Sequence, residues 1–175
     1  MPIKELIRSI PNYPKPGIVF RDITTLIKDP GGLRLVIEQL YNRYSNFKID
    51  KIAGIESRGF IIGAPLACAL GVGFIPIRKK GKLPAETIGC DYDLEYGTDR
   101  IEIHSDAILT DERILLVDDL IATGGTAKAS VGLIRECGGI VVECSFVVEL
   151  PELGGRDRIE LLGSSVFSIV QFEGH

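Results

Sequence analysis

Residues 115–127 read LLVDDLIATGGTA. The opening Leu115-Leu116-Val117 is an apolar run of the length and composition of a buried strand. Thr123-Gly124-Gly125-Thr126 then supplies a turn in which two glycines let the backbone come close to a ligand. From Gly125 the sequence continues GTAKASVGLIREC to Cys137, with helical spacing, and Gly138-Gly139 ends it. A strand, a glycine turn and a helix in that order place backbone N–H groups and a helix N-terminus at one point, a cradle for a dianionic phosphate. Asp118 and Asp119 stand a few residues ahead of this cradle. Two carboxylates beside an anion site suit a ligand that is phosphate at one end and carries hydroxyls or a bound cation at the other, because carboxylates accept from a diol and hold Mg²⁺ through water. The string is neither a P-loop nor a Gly-x-Gly-x-x-Gly dinucleotide fingerprint.

Outward from this stretch the pattern alternates. Asp29-Pro30 reads as a cap and first helical turn, and Leu33, Val36, Ile37, Leu40, Tyr41, Tyr44 and Phe47 repeat at helical spacing after it. Residues 51–56 and 73–78 are short buried strands separated by a small-residue helix over 60–71. Residues 113–120 and 140–150 are two more strands around the helix that begins at Gly125. Strands alternating with helices predict an α/β protein with a mostly parallel, doubly wound sheet. Lys79 to about Asp106 departs from the pattern: charged, glycine-containing and alternating in DRIEIH, it predicts a strand pair around a flexible loop. No repeat or linker divides the 175 residues, which read as a single domain 1–175 with an N-terminal segment over about 1–28.

Composition narrows the function. Twenty Lys and Arg against 24 Asp and Glu give a net charge of −4, which offers no footprint for nucleic acid or an anionic membrane. Cys68, Cys90, Cys137 and Cys144 have no paired spacing, and with only two histidines neither a zinc site nor a disulfide framework is expected; His104 is assigned to structure. The expectation is a soluble cytoplasmic protein with reduced thiols. In a doubly wound sheet ligands bind beyond the carboxyl ends of the strands. Glu56-Ser57-Arg58-Gly59, Arg78-Lys79-Lys80 and the segment from Asp118 to Ala127 all lie there.

The string LLVDDLIATGGTA resembles the phosphoribosyl-pyrophosphate signature of the type I phosphoribosyltransferases. YPKPGIVFRDIT, IESRGFIIGAPLA, IRKKGKLPAETI, LEYGTDRIEIHSDA and VVELPELGGR resemble, in order, segments of the adenine-using branch of that family. The resemblance spans nearly the whole chain. It implies transfer of ribose 5-phosphate from 5-phosphoribosyl 1-pyrophosphate (PRPP) to adenine, giving AMP and pyrophosphate in purine salvage, with Mg²⁺ and as a homodimer. The implied fold adds a small hood and a flexible catalytic loop to the central sheet. On the same ground Ala122, Thr123, Gly124, Gly125, Thr126 and Ala127 hold the 5-phosphate, and Asp118 and Asp119 hold the ribose diol, with Mg²⁺ near them but carried mainly by substrate and water. Glu56, Ser57, Arg58 and Gly59 form the pyrophosphate loop, with a cis peptide implied at Glu56-Ser57. Arg78, Lys79 and Lys82 contribute charge to the pyrophosphate. Glu95 and Tyr96 are implied as catalytic residues on the closing loop, Glu95 handling a proton at the purine's imidazole, with Arg58 assisting. Val19, Phe20 and Arg21 bind the base, Phe20 by stacking, and Val147 covers its opposite face. Family members specific for 6-oxopurines carry an acidic residue where this chain has Ala122, which implies adenine rather than hypoxanthine or guanine. Two other readings share the sugar-phosphate site: an enzyme for a different base, and a regulatory binding protein without catalysis. Against the second stand Glu95 and the lack of a basic face or an appended helix-turn-helix.

Overall fold

The computed structural model describes residues 2–94 and 97–174. After a 3-10 turn at Ile3–Leu6, strands β1 (Arg8–Pro11) and β2 (Val19–Asp22) pair antiparallel as a small separate hairpin. Helices α1 (Thr24–Ile27) and α2 (Pro30–Tyr44) follow. The α2 start is the expected one: Asp29 accepts from the Gly32 N–H at 2.7 Å and Pro30 takes the first turn. The helix stops at Tyr44, three residues before the predicted apolar repeat ends. Phe47 packs edge-on against Tyr44 from the turn beyond, with ring centroids 5.0 Å apart.

The main sheet is built from β3 (Lys51–Ile55), α3 (Arg58–Leu70), β4 (Gly73–Lys79), β5 (Thr87–Asp93), β6 (Thr98–His104), β7 (Arg113–Ile121), α4 (Gly125–Glu136), β8 (Ile140–Glu149), α5 (Gly155–Glu160) and β9 (Val166–Gln171). Among the described residues its order is β5-β6-β4-β3-β7-β8-β9. The five strands β4-β3-β7-β8-β9 run parallel, and the β5–β6 hairpin adds antiparallel beside β4. Helices cover both faces. Along β7, Leu115 and Val117 join a core with Val36, Leu40, Ile62 and Leu66 of α2 and α3, whereas Ile114 and Leu116 join one with Ala127, Val131 and Ile134 of α4. This alternation is what a two-faced strand requires.

The strand pair expected within 79–106 is present as β5 and β6 and is longer than predicted, leaving less loop, because Ile101 and Ile103 put their side chains into the α4-side core. Loop remains at 80–86. The helix predicted from residue 60 begins at Arg58, and Gly71, with φ 72°, caps its end. Chain direction reverses in strand order at β3, whose neighbours are β4 on one side and β7 on the other. The carboxyl ends of β3 and β7 therefore flank a topological switch point, where such sheets open a crevice.

Candidate active site

Two adjoining cavities occupy that crevice. One, of about 320 Å³, is lined by Ile55, Glu56, Ser57, Arg58, Ile77, Lys79, Tyr92, Ile101, Asp118, Asp119 and Thr126. The other, of about 190 Å³, is lined by the chain from Leu120 to Ala127 together with Asp118. Asp118 and Thr126 belong to both, so the carboxylate pair and the glycine turn open onto one continuous space.

The turn has the geometry that its sequence predicts. Gly124 sits at φ 83° as the residue before α4, a conformation that favours glycine, and the first turn of α4, Gly125 to Ala127, lines the smaller cavity with its N–H groups free of partners within the helix. Thr123 is exposed and Ala127 buried. On the other side of the crevice, the Glu56–Ser57 peptide is cis, as the resemblance implies, and α3 begins at the next residue. Gly59 is not a cavity residue. Its role is clearance: a Cβ there would lie 3.0 Å from Asp118 Oδ1 and 3.0 Å from the Val117 carbonyl, so only glycine lets α3 pack this close to β7.

Charges in the crevice are paired with one another. Arg58 Nε donates to Asp119 Oδ2 at 2.6 Å, Arg78 Nε to Glu56 Oε1 at 2.8 Å, and Lys79 Nζ lies 3.1 Å from Asp99. Asp119 is nearly enclosed, its side chain 11% exposed, while Arg58 is 46% exposed and free to swing toward solvent. Hydrogen bonding to Asp119, then its charge, raise the Arg58 guanidinium above its ordinary value. Asp118 is unlike its neighbour. Burial, then the adjacent Asp119 charge, push its carboxyl well above the usual carboxylate range, although its Oδ1 accepts the Asp119 N–H at 2.8 Å.

The structure brings together most, not all, of the residues expected here. Lys79 lines the larger cavity; Arg78 reaches it only through Glu56; Lys82 is exposed in the turn after β4 and lines neither cavity. Val147 does not reach the cavities: it is fully buried in the core between β8 and the helices of one face, which is where an apolar residue on an internal strand goes. Val19, Phe20 and Arg21 stand half-buried on β2, apart from both cavities. Phe20 packs edge-on against Tyr13 at 5.3 Å, and the Arg21 guanidinium lies 4.4 Å over the Phe172 ring. Glu95 and Tyr96 lie outside the described residues. Sequence reasoning missed Tyr92 and Asp99. Tyr92 faces the larger cavity from β5 and its hydroxyl donates to Asp99 Oδ2 at 3.3 Å; burial holds its phenol above the ordinary value. The alternation in TIGCDYD could have placed Tyr92 on the inward face once 87–93 was read as strand.

A crevice at the switch point of a parallel sheet, with a glycine-turn phosphate cradle, a carboxylate pair and a cationic loop opposite, defines a sugar-phosphate site. Residues 23–172 match the family described as Phosphoribosyl transferase domain, and the chain belongs to that family. It is 67% identical over 175 residues to an adenine phosphoribosyltransferase of Nitrosospira multiformis, with all of both chains covered. The fold superposes with a TM-score of 0.92 on the crystal structure of adenine phosphoribosyltransferase from Thermoanaerobacter pseudethanolicus, at 51% identity and covering 97% of this chain and 98% of that one. A Saccharomyces cerevisiae adenine phosphoribosyltransferase, complexed with D-2,5-dideoxy-2,5-imino-altritol 1,6-bisphosphate and adenine, gives a TM-score of 0.89 at 41% identity over 96% of each chain.

Proposed function

We propose that this chain is an adenine phosphoribosyltransferase, transferring ribose 5-phosphate from PRPP to adenine with release of AMP and pyrophosphate. The observation that carries the reading is the pair of cavities joined at Asp118 and Thr126, one floored by a phosphate turn and the other walled by Arg58 and Lys79. That length and sequence of charges suit a sugar with a phosphate at C5 and a pyrophosphate at C1. The 5-phosphate takes the N–H groups of the turn from Thr123 to Thr126 and the N-terminus of α4. Arg58 and Lys79, with Arg78 behind them, take the pyrophosphate, offsetting the charge that grows on it as the C1–O bond breaks. Asp118 and Asp119 accept from the ribose hydroxyls. Displacement at C1 by the purine nitrogen requires the base to enter beside the ribose, and we assign the base to the backbone of Val19 and Arg21 and the Phe20 ring, a carry-over that rests on the motif YPKPGIVFRDIT. Glu95 is the proton-handling residue and Tyr96 its sequence neighbour, a carry-over that rests on the motif LEYG.

The donor chemistry fits Mg²⁺: Asp118 and Asp119 line the cavity, and their carboxylates are hard ligands of the kind that hold this ion through water. Bound there with the substrate, the ion would neutralise phosphate charge. The protein is a cytoplasmic homodimer in this reading. Its four cysteines are free, and among the described residues no helix is long and apolar enough to cross a membrane. Support for the dimer is that Tyr41 on α2 and Ile61 on α3 are exposed apolar side chains and that Ile37, Tyr41 and Ala69 line an open hollow; light scattering on the purified chain reads its mass directly, and a monomer at assay concentration would remove that part.

Adenine offers an acceptor at N1 and a donor at its 6-amino group, and hypoxanthine the reverse. A backbone site built for the first leaves its groups unpaired with the second, at about 1–3 kcal/mol each, which supports discrimination on the order of 10⁴-fold. Competing adenine, hypoxanthine and guanine at equal concentration with limiting PRPP yields AMP; comparable IMP or GMP would overturn the choice of base.

A further inference from the structure

The phosphate turn is pressed from behind by a second glycine turn. A Cβ on Gly124 would lie 2.9 Å from the Gly155 Cα, and one on Gly155 would lie 2.6 Å from the Ala122 carbonyl oxygen and 2.7 Å from Ile121 Cγ1. The Gly155 N–H donates to that same carbonyl at 3.1 Å. The two backbones are therefore in direct contact, and the carbonyl that Gly155 holds belongs to the residue just before Thr123. Gly155 opens α5, a six-residue helix too short to hold itself in place.

What holds it is the next residue. Arg156 forks onto Glu149, Nε to Oε2 at 3.0 Å and Nη2 to Oε1 at 2.6 Å, while Nη1 donates to the Val166 carbonyl at 2.8 Å. Glu149 is 2% exposed and also accepts from Ser168 Oγ at 2.8 Å and Gln171 Nε2 at 3.1 Å. Burial alone would raise its carboxyl, but these bonds outweigh it and hold the group below its ordinary value, ionised. Glu149 ends β8 in register with Ile121 of β7, and the Leu150 N–H donates to the Ile121 carbonyl at 3.0 Å. The ion pair thus ties the ends of β7 and β8, strand β9 and the start of α5 into one truss. A buried ion pair adds little stability over apolar packing of the same shape, whereas a planar fork on a carboxylate fixes position.

We propose that Glu149 and Arg156 are positioning residues for the phosphate turn, acting through Gly155, which sets the Ala122 carbonyl and so the direction of the N–H groups that follow it. The inference rests on the reading of that turn as the PRPP 5-phosphate site. Its test is PRPP binding by titration calorimetry in Mg²⁺ buffer, with steady-state KM for both substrates and thermal midpoints, on the full chain and three variants. Gly155→Ala places a methyl against the Ala122 carbonyl. Arg156→Lys keeps the charge and loses the fork, and serves should the first fail to fold. Glu143→Gln is the control: Glu143 is an equally buried carboxylate at the other end of β8, forked by Arg43 and bonded to Tyr44. Expected for the first two is PRPP affinity weakened by about tenfold, equivalent to ~1.4 kcal/mol, with KM for PRPP rising in step and KM for adenine unchanged. Expected for Glu143→Gln is a lowered midpoint with PRPP affinity intact. Wild-type PRPP affinity in both Gly155→Ala and Arg156→Lys overturns the positioning role alone. A matching loss in Glu143→Gln overturns it as well, by showing general loosening. Failure of the wild-type chain to bind PRPP removes the reading of the turn and this inference with it.

Discussion

Asp118→Asn is expected to make the protein more stable and less active. The native carboxyl is held well above the usual range by burial and by Asp119, so at neutral pH the fold carries a cost for any ionised fraction or for the proton taken up to avoid it. Asparagine is isosteric, keeps an Oδ1 to accept the Asp119 N–H that now lies at 2.8 Å, and adds nothing toward α3, where Gly59 leaves no spare room. The gain is about 1–2 kcal/mol, the usual yield of relieving strain at a functional site. For a chain of this length that is a rise in Tm of roughly 2–8 °C. The pH dependence has a fixed sign. A carboxyl whose folded value is raised makes the folded state bind more protons than the unfolded one, so wild-type stability falls as pH climbs from about 4 toward the raised value. The variant's advantage is therefore absent near the ordinary carboxylate value and complete above the raised one. Its loss of activity comes from removing a carboxyl that can ionise when a ribose hydroxyl or a hydrated cation arrives and then accept as a charged group, about 1.5–3 kcal/mol, or roughly ten- to a hundredfold in kcat/KM. Differential scanning calorimetry across this pH range, beside steady-state kinetics, reads both. A lower Tm than wild type at mildly alkaline pH would show that the carboxylate stabilises the fold and refute the argument.

Asp22→Asn removes the carboxylate that Arg8 grips across the β1–β2 hairpin and that caps α1 through the Thr24 N–H at 2.9 Å. The bonds from Arg8 and Thr24 hold Asp22 at about 2, so its contribution is present above about pH 4 and lost as pH falls toward 2. With Arg8 55% exposed the contribution is about 1 kcal/mol; the variant should lose that at neutral pH and raise KM for adenine more than KM for PRPP, and equal effects on both would separate the hairpin from the base. Excess chelator should abolish turnover and Mg²⁺ restore it; a full rate in chelator would remove the cation from the reaction.

The sequence was most legible where local chemistry and fold coincide. Residues 115–127 could be read because an apolar run, a glycine pair and a helical repeat each point to one element, and the structure places them as β7, turn and α4. Strand β9 was not read, since Ser168 and Gln171 break the apolar run in VFSIVQ; both turn out to face Glu149, a partner about twenty residues away that no local window contains. The hairpin was read as a strand pair from the alternation in DRIEIH, but its extent was not, because charged residues surround the inward pair Ile101 and Ile103. Val147 marks the opposite limit: nothing in a valine on a buried strand distinguishes a ligand contact from core, and the structure buries this one. The ion pairs were invisible for the same reason as the β9 contacts, Arg58 and Asp119 being 61 positions apart and Arg78 and Glu56 22 apart.

Those pairs explain why carboxylates stand beside an anion cradle. In the free site Asp119 neutralises Arg58, Glu56 neutralises Arg78 and Asp99 neutralises Lys79, while Asp118 keeps its proton more readily than an ordinary carboxyl. A simple anion gains little by entering, because taking Arg58 strands Asp119, a nearly buried charge whose loss of partner costs several kcal/mol. A ligand that brings hydroxyl donors or a cation along with its phosphates offers Asp119 a new partner as it takes the old one. The exchange then favours a ligand that joins phosphates to hydroxyls or a cation over a bare anion, and the selectivity comes from the cost of leaving either half of a pair alone.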